Sequence, residues 1–337
     1  MSKDNSVRLR PREIENEIDE KGAFVRQKNH FTKPFGKKED ELHAEDGRFR
    51  LIWAKGCNWS NRASIVVDLL GLQDVITVNL VGRSADDNKL GWEFIYDENN
   101  IDPVLGTRYL TELYANADSN YTGRATVPAL VDIKTKKVVN NDYHWLTNYF
   151  EKDFAEFHKV NAPDLYPEAI RSDIDEFNLW LFNNVNNGVY KMMFAQSIEA
   201  YTESFNKFYE SLDKLEKELE TKRFLFGDYV TDSDIRFYVT LARFDVRYFR
   251  YLGPIRNRIV DFKNIWAYAR DLYEIPAFKN NTYFKDLAER YGDKSVKFID
   301  YSTRFWDQID YDGLWSEPQN RKSLSNTPEE KFKVREK

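Results

Sequence analysis

The chain has 337 residues, of which 42% are apolar and 15% aromatic, a composition that excludes a wholly disordered protein. A single core rarely grows beyond ~250–300 residues, so the length predicts about two domains. The net charge is −6 with interleaved signs, which argues against nucleic acid as the main partner. The N-terminus is charged and no stretch approaches the ~20 apolar residues of a membrane span. We therefore expect a soluble, cytoplasmic protein with no membrane partner.

Cysteine and histidine are scarce in this chain. The single cysteine, Cys57, excludes an intrachain disulfide, a CxxC dithiol and a multi-cysteine zinc site. The four histidines are scattered and form no ligand spacing such as HExxH. The sequence therefore predicts no metal site.

The first predicted elements follow a polar, weakly periodic arm, residues 1–47. Residues 48–54 (RFRLIWA) predict a short strand, and 60–72 (SNRASIVVDLLGL) predict an amphipathic helix that Gly71 ends. Residues 75–81 (VITVNLV) predict a second strand. A βαβ unit of this kind implies parallel strands joined by a right-handed crossover.

The next elements complete the pattern of a common domain type. Residues 109–117 (YLTELYANA) predict a helix, 126–141 (TVPALVDIKTKKVVNN) predict two strands, and 141–150 predict a closing helix. The order βαβ–α–ββ–α is that of a thioredoxin-like domain, which we assign to residues 48–152. A proline at the start of a strand, as at Pro128, fits this fold, in which the preceding Val–Pro bond is commonly cis.

Beyond the first domain the pattern is helical, and we assign an all-helical domain to residues 163–315. Apolar residues within 198–219 recur at spacings of three and four, which predicts one long amphipathic helix. The capping box TDSD (231–234) opens another helix, and Pro276 ends a later one. Residues 316–337 have the composition of a disordered tail. The predicted fold class is therefore α/β plus all-α.

The cysteine lies where the first predicted strand gives way to the first helix, in Cys57-Asn58-Trp59-Ser60. The N–H groups and dipole of a helix N-terminus favour an anion, so a nucleophilic thiolate is stabilised there. The motif resembles CxxC with serine as its second cysteine, so an external thiol must cleave any disulfide formed at Cys57. The alternative is that Cys57 is a small buried apolar residue, the usual role of a free cysteine.

Five motifs occur in one order along the chain. They are Cys57-x-Trp59-x-x-Arg62, GWEF (91–94), YTGRATVPAL (121–130), NNGVYK (186–191) and TLARFDVRY (240–248). In this combination the chain, over residues 20–292, resembles the glutathionyl-hydroquinone reductases, the Xi class of the glutathione transferases. The resemblance implies a thioredoxin-like domain followed by the all-helical C-terminal domain of a glutathione transferase.

The resemblance also implies glutathione as a cosubstrate, bound by Trp92, Arg124, Val127 and the pair Asp142 and Tyr143. Glutathione carries two carboxylates and an ammonium group, so an arginine fork, backbone groups and an acid are suitable partners. The residues alone also allow structural roles in place of glutathione binding. In that interpretation Arg124 is a surface ion-pair partner, and Trp92 is a core aromatic residue.

Three tyrosines, Tyr190, Tyr248 and Tyr291, match those that the family places around a hydroquinone-type substrate. Phenols donate hydrogen bonds to ring oxygens and stack against a flat ring. The implied reaction reduces glutathionyl-hydroquinones through a Cys57–glutathione mixed disulfide, with no metal, flavin or nicotinamide. A homodimer is expected by the same resemblance. The alternative for each tyrosine is a half-buried packing role.

Within the matched stretch the chain departs from the family pattern at two places, and the segment after residue 292 does not resemble the family. Asn58 replaces a proline, and the sequence NNDY (140–143) replaces Asn-Asn-Glu-Ser. Because aspartate is shorter than glutamate and tyrosine bulkier than serine, a different small thiol is an alternative ligand. Two other functions stay open: glutathione conjugation or general thiol–disulfide exchange, and a non-catalytic binding module with this fold.

Overall fold

The computed structural model describes residues 17–84, 90–252, 256–288 and 308–335. These residues form two compact units. The first unit comprises the described residues up to Glu20 and Phe24–Ala162, and the second comprises Lys21–Ala23 and the described residues from Pro163 onward. Within the described ranges, no helix is long and apolar enough to cross a membrane.

The first unit is a mixed sheet with three helices. Its strands are β1 (Phe49–Trp53), β2 (Ile76–Leu80), the short β3 (Gly82–Arg83) and β4 (Trp92–Glu93), β5 (Ala129–Asp132) and β6 (Lys137–Asn140). Its helices are α1 (Asn58–Leu70), α2 (Leu110–Ala117) and α3 (Leu146–Lys152). The main sheet has the order β2-β1-β5-β6, in which β1 is parallel to β2 and antiparallel to β5. This arrangement confirms the predicted thioredoxin-like domain.

The βαβ unit forms where the hydrophobic pattern predicts it. Strand β1 is buried along its whole length and lies inside the sheet. Helix α1 ends at Gly71, whose φ of 69° is in the left-handed region that glycine adopts at little cost. The Gly71 N–H donates to the carbonyl oxygen of Asp68, which satisfies one of the last acceptors of the helix.

The closing helix of the first unit begins later than the sequence predicts. Helix α3 starts at Leu146 rather than at residue 141, because the preceding residues bond to the N-terminal arm. The Asn141 N–H donates to the Phe31 carbonyl (2.8 Å), and the Asn140 side chain donates to the Lys33 carbonyl (2.9 Å). These bonds compete with the first turn of a helix, so residues 141–145 form a turn that faces the arm.

The second unit is helical, as predicted. Its helices are α4 (Arg171–Leu181), α5 (Gly188–Phe194), α6 (Ile198–Glu218), α7 (Asp232–Phe244), α8 (Lys263–Tyr273), α9 (Pro276–Asn280), α10 (Phe284–Ala288) and α11 (Tyr311–Trp315). The capping box at the start of α7 is complete: the Asp234 carboxylate accepts from the Thr231 N–H at 2.8 Å. Pro276 lies at the first position of α9, so it opens that helix, and α8 ends before it.

The C-terminal segment corrects a prediction made from composition. Residues 316–335, predicted to be disordered, pack against the second unit through two cations. Arg321 is buried and donates to the carbonyl oxygen of Arg223, and Lys331 forms an ion pair with Asp271 at 2.8 Å. The acceptors for these cations lie far away in the sequence, so the local composition of the segment does not reveal them.

Asp271 is the centre of this contact. Asp271 and Arg223 both have side chains with 0% exposure, and the Arg223 guanidinium donates to both carboxylate oxygens. Burial alone raises the pKa of Asp271, but hydrogen bonds from Arg223 and the charge of Lys331 hold it below its ordinary value. The carboxylate therefore contributes stability at neutral pH that is lost on acidification.

We predict that Asp271→Asn lowers the free energy of unfolding by about 3–5 kcal/mol at pH 7, because it leaves the buried Arg223 guanidinium without the opposite charge that compensates it. Chemical denaturation measures this loss. The matched control is Glu274→Gln, which also removes a negative charge that pairs with Lys331 but at an exposed position, so it costs below about 1 kcal/mol. The difference in unfolding free energy between the wild type and Asp271→Asn should shrink below about pH 4, where the carboxyl group of the unfolded chain is protonated. Equal losses in the two variants contradict this account of the segment.

Candidate active site

Cys57 occupies the turn that joins β1 to α1, at the N-cap position. Its N–H donates to the carbonyl oxygen of Ala54 (2.9 Å), and its own carbonyl accepts from Asn61 (3.0 Å) in the first turn of α1. The backbone of the cysteine is thereby fixed from both sides. The residue as a whole is half-buried.

Ser60 stands where a CxxC motif has its second cysteine, and it has a structural role. Its hydroxyl accepts from the Ala54 N–H (3.1 Å) and is 3.3 Å from the Ala54 carbonyl oxygen, which closes the β1–α1 turn. The side chain is fully buried. Ser60 therefore holds the turn that presents Cys57 and supplies no second thiol.

Val127 is the residue that the fold brings to the cysteine sulfur. The Cys57 thiol donates to the Val127 carbonyl oxygen, 3.4 Å away, and the following Val127–Pro128 peptide bond is cis. The contact follows from the antiparallel register of β1 and β5, which sets Ile52 opposite Ala129. Cys57 and Trp92 both pack against one hydrophobic cluster that includes Val127. Three of the predicted site residues are thus brought together.

Arg124 is held by two residues of the N-terminal arm. Its guanidinium forms an ion pair with the Glu17 carboxylate, with 2.7 Å between Nη2 and Oε2. Its backbone N–H donates to the side-chain oxygen of Gln27 at 3.0 Å. A quarter of the Arg124 side chain is exposed, so a ligand can reach it.

The predicted acid, Asp142, is also oriented by the arm. Its Oδ1 oxygen accepts from the Asn29 side chain and from the His144 N–H, each at 3.0 Å. Both bonds go to the same oxygen, so Oδ2 is the oxygen that can face a ligand cation. The residue after Asp142, Tyr143, accepts a hydrogen bond at its carbonyl oxygen from Arg62 of α1. This bond holds the loop against the helix that begins after the cysteine.

Tyr143 packs beside the start of α1. Its ring lies 5.2 Å from that of Trp59 and 4.5 Å from that of His144. Burial raises the pKa of Tyr143; the Arg26 cation opposes this rise, and the Asp142 charge adds to it. The phenol is therefore neutral at physiological pH, and it can donate a hydrogen bond but carries no charge.

Two of the three predicted tyrosines meet in the second unit. The hydroxyl oxygens of Tyr190 and Tyr248 are 3.1 Å apart, and their rings are in edge-to-face contact with centroids 5.7 Å apart. Tyr248 is buried, whereas Tyr190 is half-buried. Burial, and then the neighbouring Tyr190, raise the pKa of Tyr248 well above its ordinary value. The third tyrosine, Tyr291, lies outside the described residues.

The chain is similar to several named proteins. The glutathionyl-hydroquinone reductase YqjG of Escherichia coli (strain K12) is 36% identical over 250 residues, which are 74% of this chain and 75% of that protein. This chain belongs to the glutathionyl-hydroquinone reductase family, the Xi class of the glutathione transferases. It is therefore an enzyme of the glutathione transferase type, as the motifs predicted.

Solved structures of the family agree with this assignment. The glutathione-bound structure of YqjG from Escherichia coli K-12 has a TM-score of 0.75 at 33% identity and covers 87% of this chain and 96% of that one. The Xi glutathione transferase from Phanerochaete chrysosporium has a TM-score of 0.76 at 34% identity, with 85% and 92% covered. Residues 198–271 match the model for the glutathione S-transferase C-terminal domain. These matches confirm the predicted domain types.

Sequence reasoning missed the part that the arm plays in this member of the family. Glu17, Gln27 and Asn29 contact the predicted ligand residues Arg124 and Asp142, across separations of 107, 97 and 113 residues. The arm is only weakly periodic, and Glu17 precedes the stretch over which the motifs match. Composition gives no signal either, because Glu17 stands beside other acids, Asp19 and Glu20, and nothing local distinguishes the one that is buried.

Metal binding finds no support in the described part of the chain. Within it, no three His, Cys, Asp or Glu side chains cluster in a way that could hold an ion.

Proposed function

We propose that this enzyme removes the glutathionyl group from glutathionyl-hydroquinones and uses glutathione as its cosubstrate. The main support is the position of Cys57, whose sulfur lies at the N-terminus of α1 and 3.4 Å from the Val127 carbonyl oxygen. The relative YqjG is named a glutathionyl-hydroquinone reductase and has a glutathione-bound structure. A cysteine in this position favours attack on a sulfur atom over conjugation of glutathione to an electrophile.

The reaction begins when the Cys57 thiolate attacks the sulfur of the conjugate. A disulfide forms between Cys57 and glutathione, and the bond between that sulfur and the ring carbon breaks. The electron pair of the broken bond stays with the ring carbon, which takes up a proton to give the hydroquinone. The ring is thereby reduced, and the two sulfur atoms are oxidised to a disulfide.

A second glutathione must complete the cycle. Its thiolate attacks the mixed disulfide, releases oxidised glutathione and restores Cys57. An internal resolving step is excluded by chemistry, because Ser60 is a buried hydroxyl bonded to the backbone and Cys57 is the single cysteine of the chain. The overall balance is one conjugate and one glutathione converted into one hydroquinone and one oxidised glutathione.

The residues around Cys57 suit the peptide part of glutathione. The Val127 carbonyl accepts from the thiol in the structure, and it becomes available to a ligand N–H once the thiol loses its proton. Arg124 offers N–H donors to a carboxylate, and the free oxygen of Asp142 suits an ammonium group. Trp92 packs on the same cluster as Cys57 and supplies an apolar wall. These four residues are our proposed glutathione ligands, together with Tyr143.

The tyrosine pair suits the aromatic part of the substrate. Tyr190 is the more exposed of the two, so we assign to it the hydrogen bond to a ring oxygen. Tyr248 is buried behind it, stays protonated because of its raised pKa, and positions the Tyr190 hydroxyl. Tyr291 remains our third proposed contact to the ring.

We predict that Cys57→Ala abolishes hydroquinone release while the protein stays folded, because the nucleophile is lost and only a small half-buried side chain is removed. Turnover of a glutathionyl-hydroquinone with glutathione is followed by chromatography, and folding by thermal unfolding. The control is Ser64→Ala, which removes a small side chain from α1 outside the turn that presents Cys57, and it should retain turnover. Glutathione-dependent release well above the uncatalysed rate by folded Cys57→Ala contradicts the mechanism.

We predict that Tyr190→Phe slows the release of hydroquinone by ~10²–10⁴-fold if its hydroxyl supplies the proton, the usual contribution of a positioned proton donor. Tyr248→Phe removes only the supporting hydrogen bond, worth ~0.5–1.5 kcal/mol, so turnover should fall by roughly two- to tenfold. Neither change should alter exchange with bis(2-hydroxyethyl) disulfide, which has no ring to orient.

The control for the tyrosine variants is Tyr209→Phe, since this buried phenol of the same unit bonds to the Asn257 carbonyl instead (2.9 Å). It should leave both reactions unchanged. If Tyr190→Phe leaves hydroquinone release unchanged, or slows both reactions equally, the tyrosine pair does not bind the ring.

A further inference from the structure

Glu17 is a buried acid in the N-terminal arm, only 2% exposed. One carboxylate oxygen accepts from the Arg124 guanidinium at 2.7 Å, and the other accepts from the backbone N–H of Gln27. Both partners are hydrogen-bond donors. A carboxylate can therefore serve both at once, whereas an amide at this position must turn its NH₂ group toward one of them.

Gln27 binds the backbone of the same arginine. Its side-chain oxygen accepts from the Arg124 N–H (3.0 Å), and its NH₂ group donates to the Arg124 carbonyl (3.1 Å). The Tyr121 hydroxyl donates to that carbonyl as well (2.8 Å). Arg124 is thus fixed along its backbone by Gln27 and at its guanidinium by Glu17. We call Glu17 and Gln27 the arm clamp.

Two roles are conceivable for an acid beside a carboxylate-binding arginine: it competes with the ligand, or it positions the arginine. The burial of Glu17 opposes competition, because its side chain is 1% exposed and a second bond, to the Gln27 backbone, retains it. Arg124 is 25% exposed and gives Glu17 only one of its five N–H donors. Its Nε is enclosed by the protein, so the donors that can meet a ligand are the N–H groups of the two terminal nitrogens. The arginine is therefore held on one side and keeps donors for a ligand.

We propose that Glu17 is a positioning residue that aims Arg124 at a carboxylate of the thiol substrate, so that the arm clamp sets the preference for a carboxylate-bearing thiol. This inference rests on the proposed glutathione-dependent function. A guanidinium that is already fixed loses less conformational freedom when it binds, and the planar fork then meets a carboxylate in one geometry. Glu17 affects binding through Arg124 and does not touch the reacting sulfur atoms.

The test measures the KM for glutathione and kcat in turnover of a glutathionyl-hydroquinone. We expect Glu17→Gln to raise the KM by roughly ten- to a hundredfold, the equivalent of one charge-assisted hydrogen bond, with kcat at saturation nearly unchanged. With 2-mercaptoethanol as the resolving thiol, which has no carboxylate, Glu17→Gln should match the wild type. Glu17→Asp keeps both acceptor oxygens on a shorter side chain and should give a smaller rise. It also serves as the second variant if Glu17→Gln fails to fold.

Two further comparisons make the test decisive. Glu20→Gln is the matched control, an exposed acid in the same arm, and it should leave both KM values unchanged. In an Arg124→Met background, Glu17→Gln should change the KM by less than about twofold, because the residue through which it acts is gone.

Three results overturn the proposal. If Glu17→Gln lowers the KM for glutathione, Glu17 competes with the ligand. If the KM for 2-mercaptoethanol rises equally, Glu17 has a merely structural role. If Glu17→Gln raises the KM for glutathione as much in the Arg124→Met background, Glu17 does not act through Arg124. Failure of the proposed function is visible separately, because the wild type then shows no glutathione-dependent turnover at all.

Discussion

The antiparallel pairing of β1 with β5 is the constraint on which the first unit depends. The register sets Ile52 opposite Ala129, so the turn after β1 meets the turn before β5. Cys57 lies in the first turn and Val127 in the second, and their contact of 3.4 Å is a consequence of that register. A slip by one residue would turn every side chain of the strand to the opposite face of the sheet and would separate the two groups.

The N-terminal arm supplies polar contacts that the apolar sheet and cluster do not. The sheet and its hydrophobic cluster place the cysteine, but they do not orient the charged side chains of Arg124 and Asp142. Glu17 and Gln27 do so for Arg124, and Asn29 does so for Asp142. In the function we propose, sulfur chemistry belongs to groups held by secondary structure, and recognition of the thiol belongs to groups oriented by a segment without regular structure.

The local parts of this structure were predictable from the sequence because their signals are local. The β-branched strand at 76–80, the helix that ends at Gly71 and the capping box of α7 each depend on neighbours within a few residues. The contacts that escaped prediction join distant segments. Glu17 pairs with Arg124, and Lys331 pairs with Asp271, across separations that no periodicity encodes. The late start of α3 has the same origin, since the turn before it bonds to the arm. The placement of Tyr190 beside Tyr248 was suggested by matching motifs, and only the folded second unit shows that their hydroxyls meet.

The central claim is that Cys57 takes the glutathionyl group onto its own sulfur. The most direct measurement is the intact mass of the native protein after brief exposure to a glutathionyl-hydroquinone without free glutathione. The account predicts a single glutathione adduct on Cys57, one equivalent of released hydroquinone, and loss of the adduct when glutathione is added. Release of hydroquinone by a protein that stays unmodified, or an adduct that retains the aromatic ring, would contradict it.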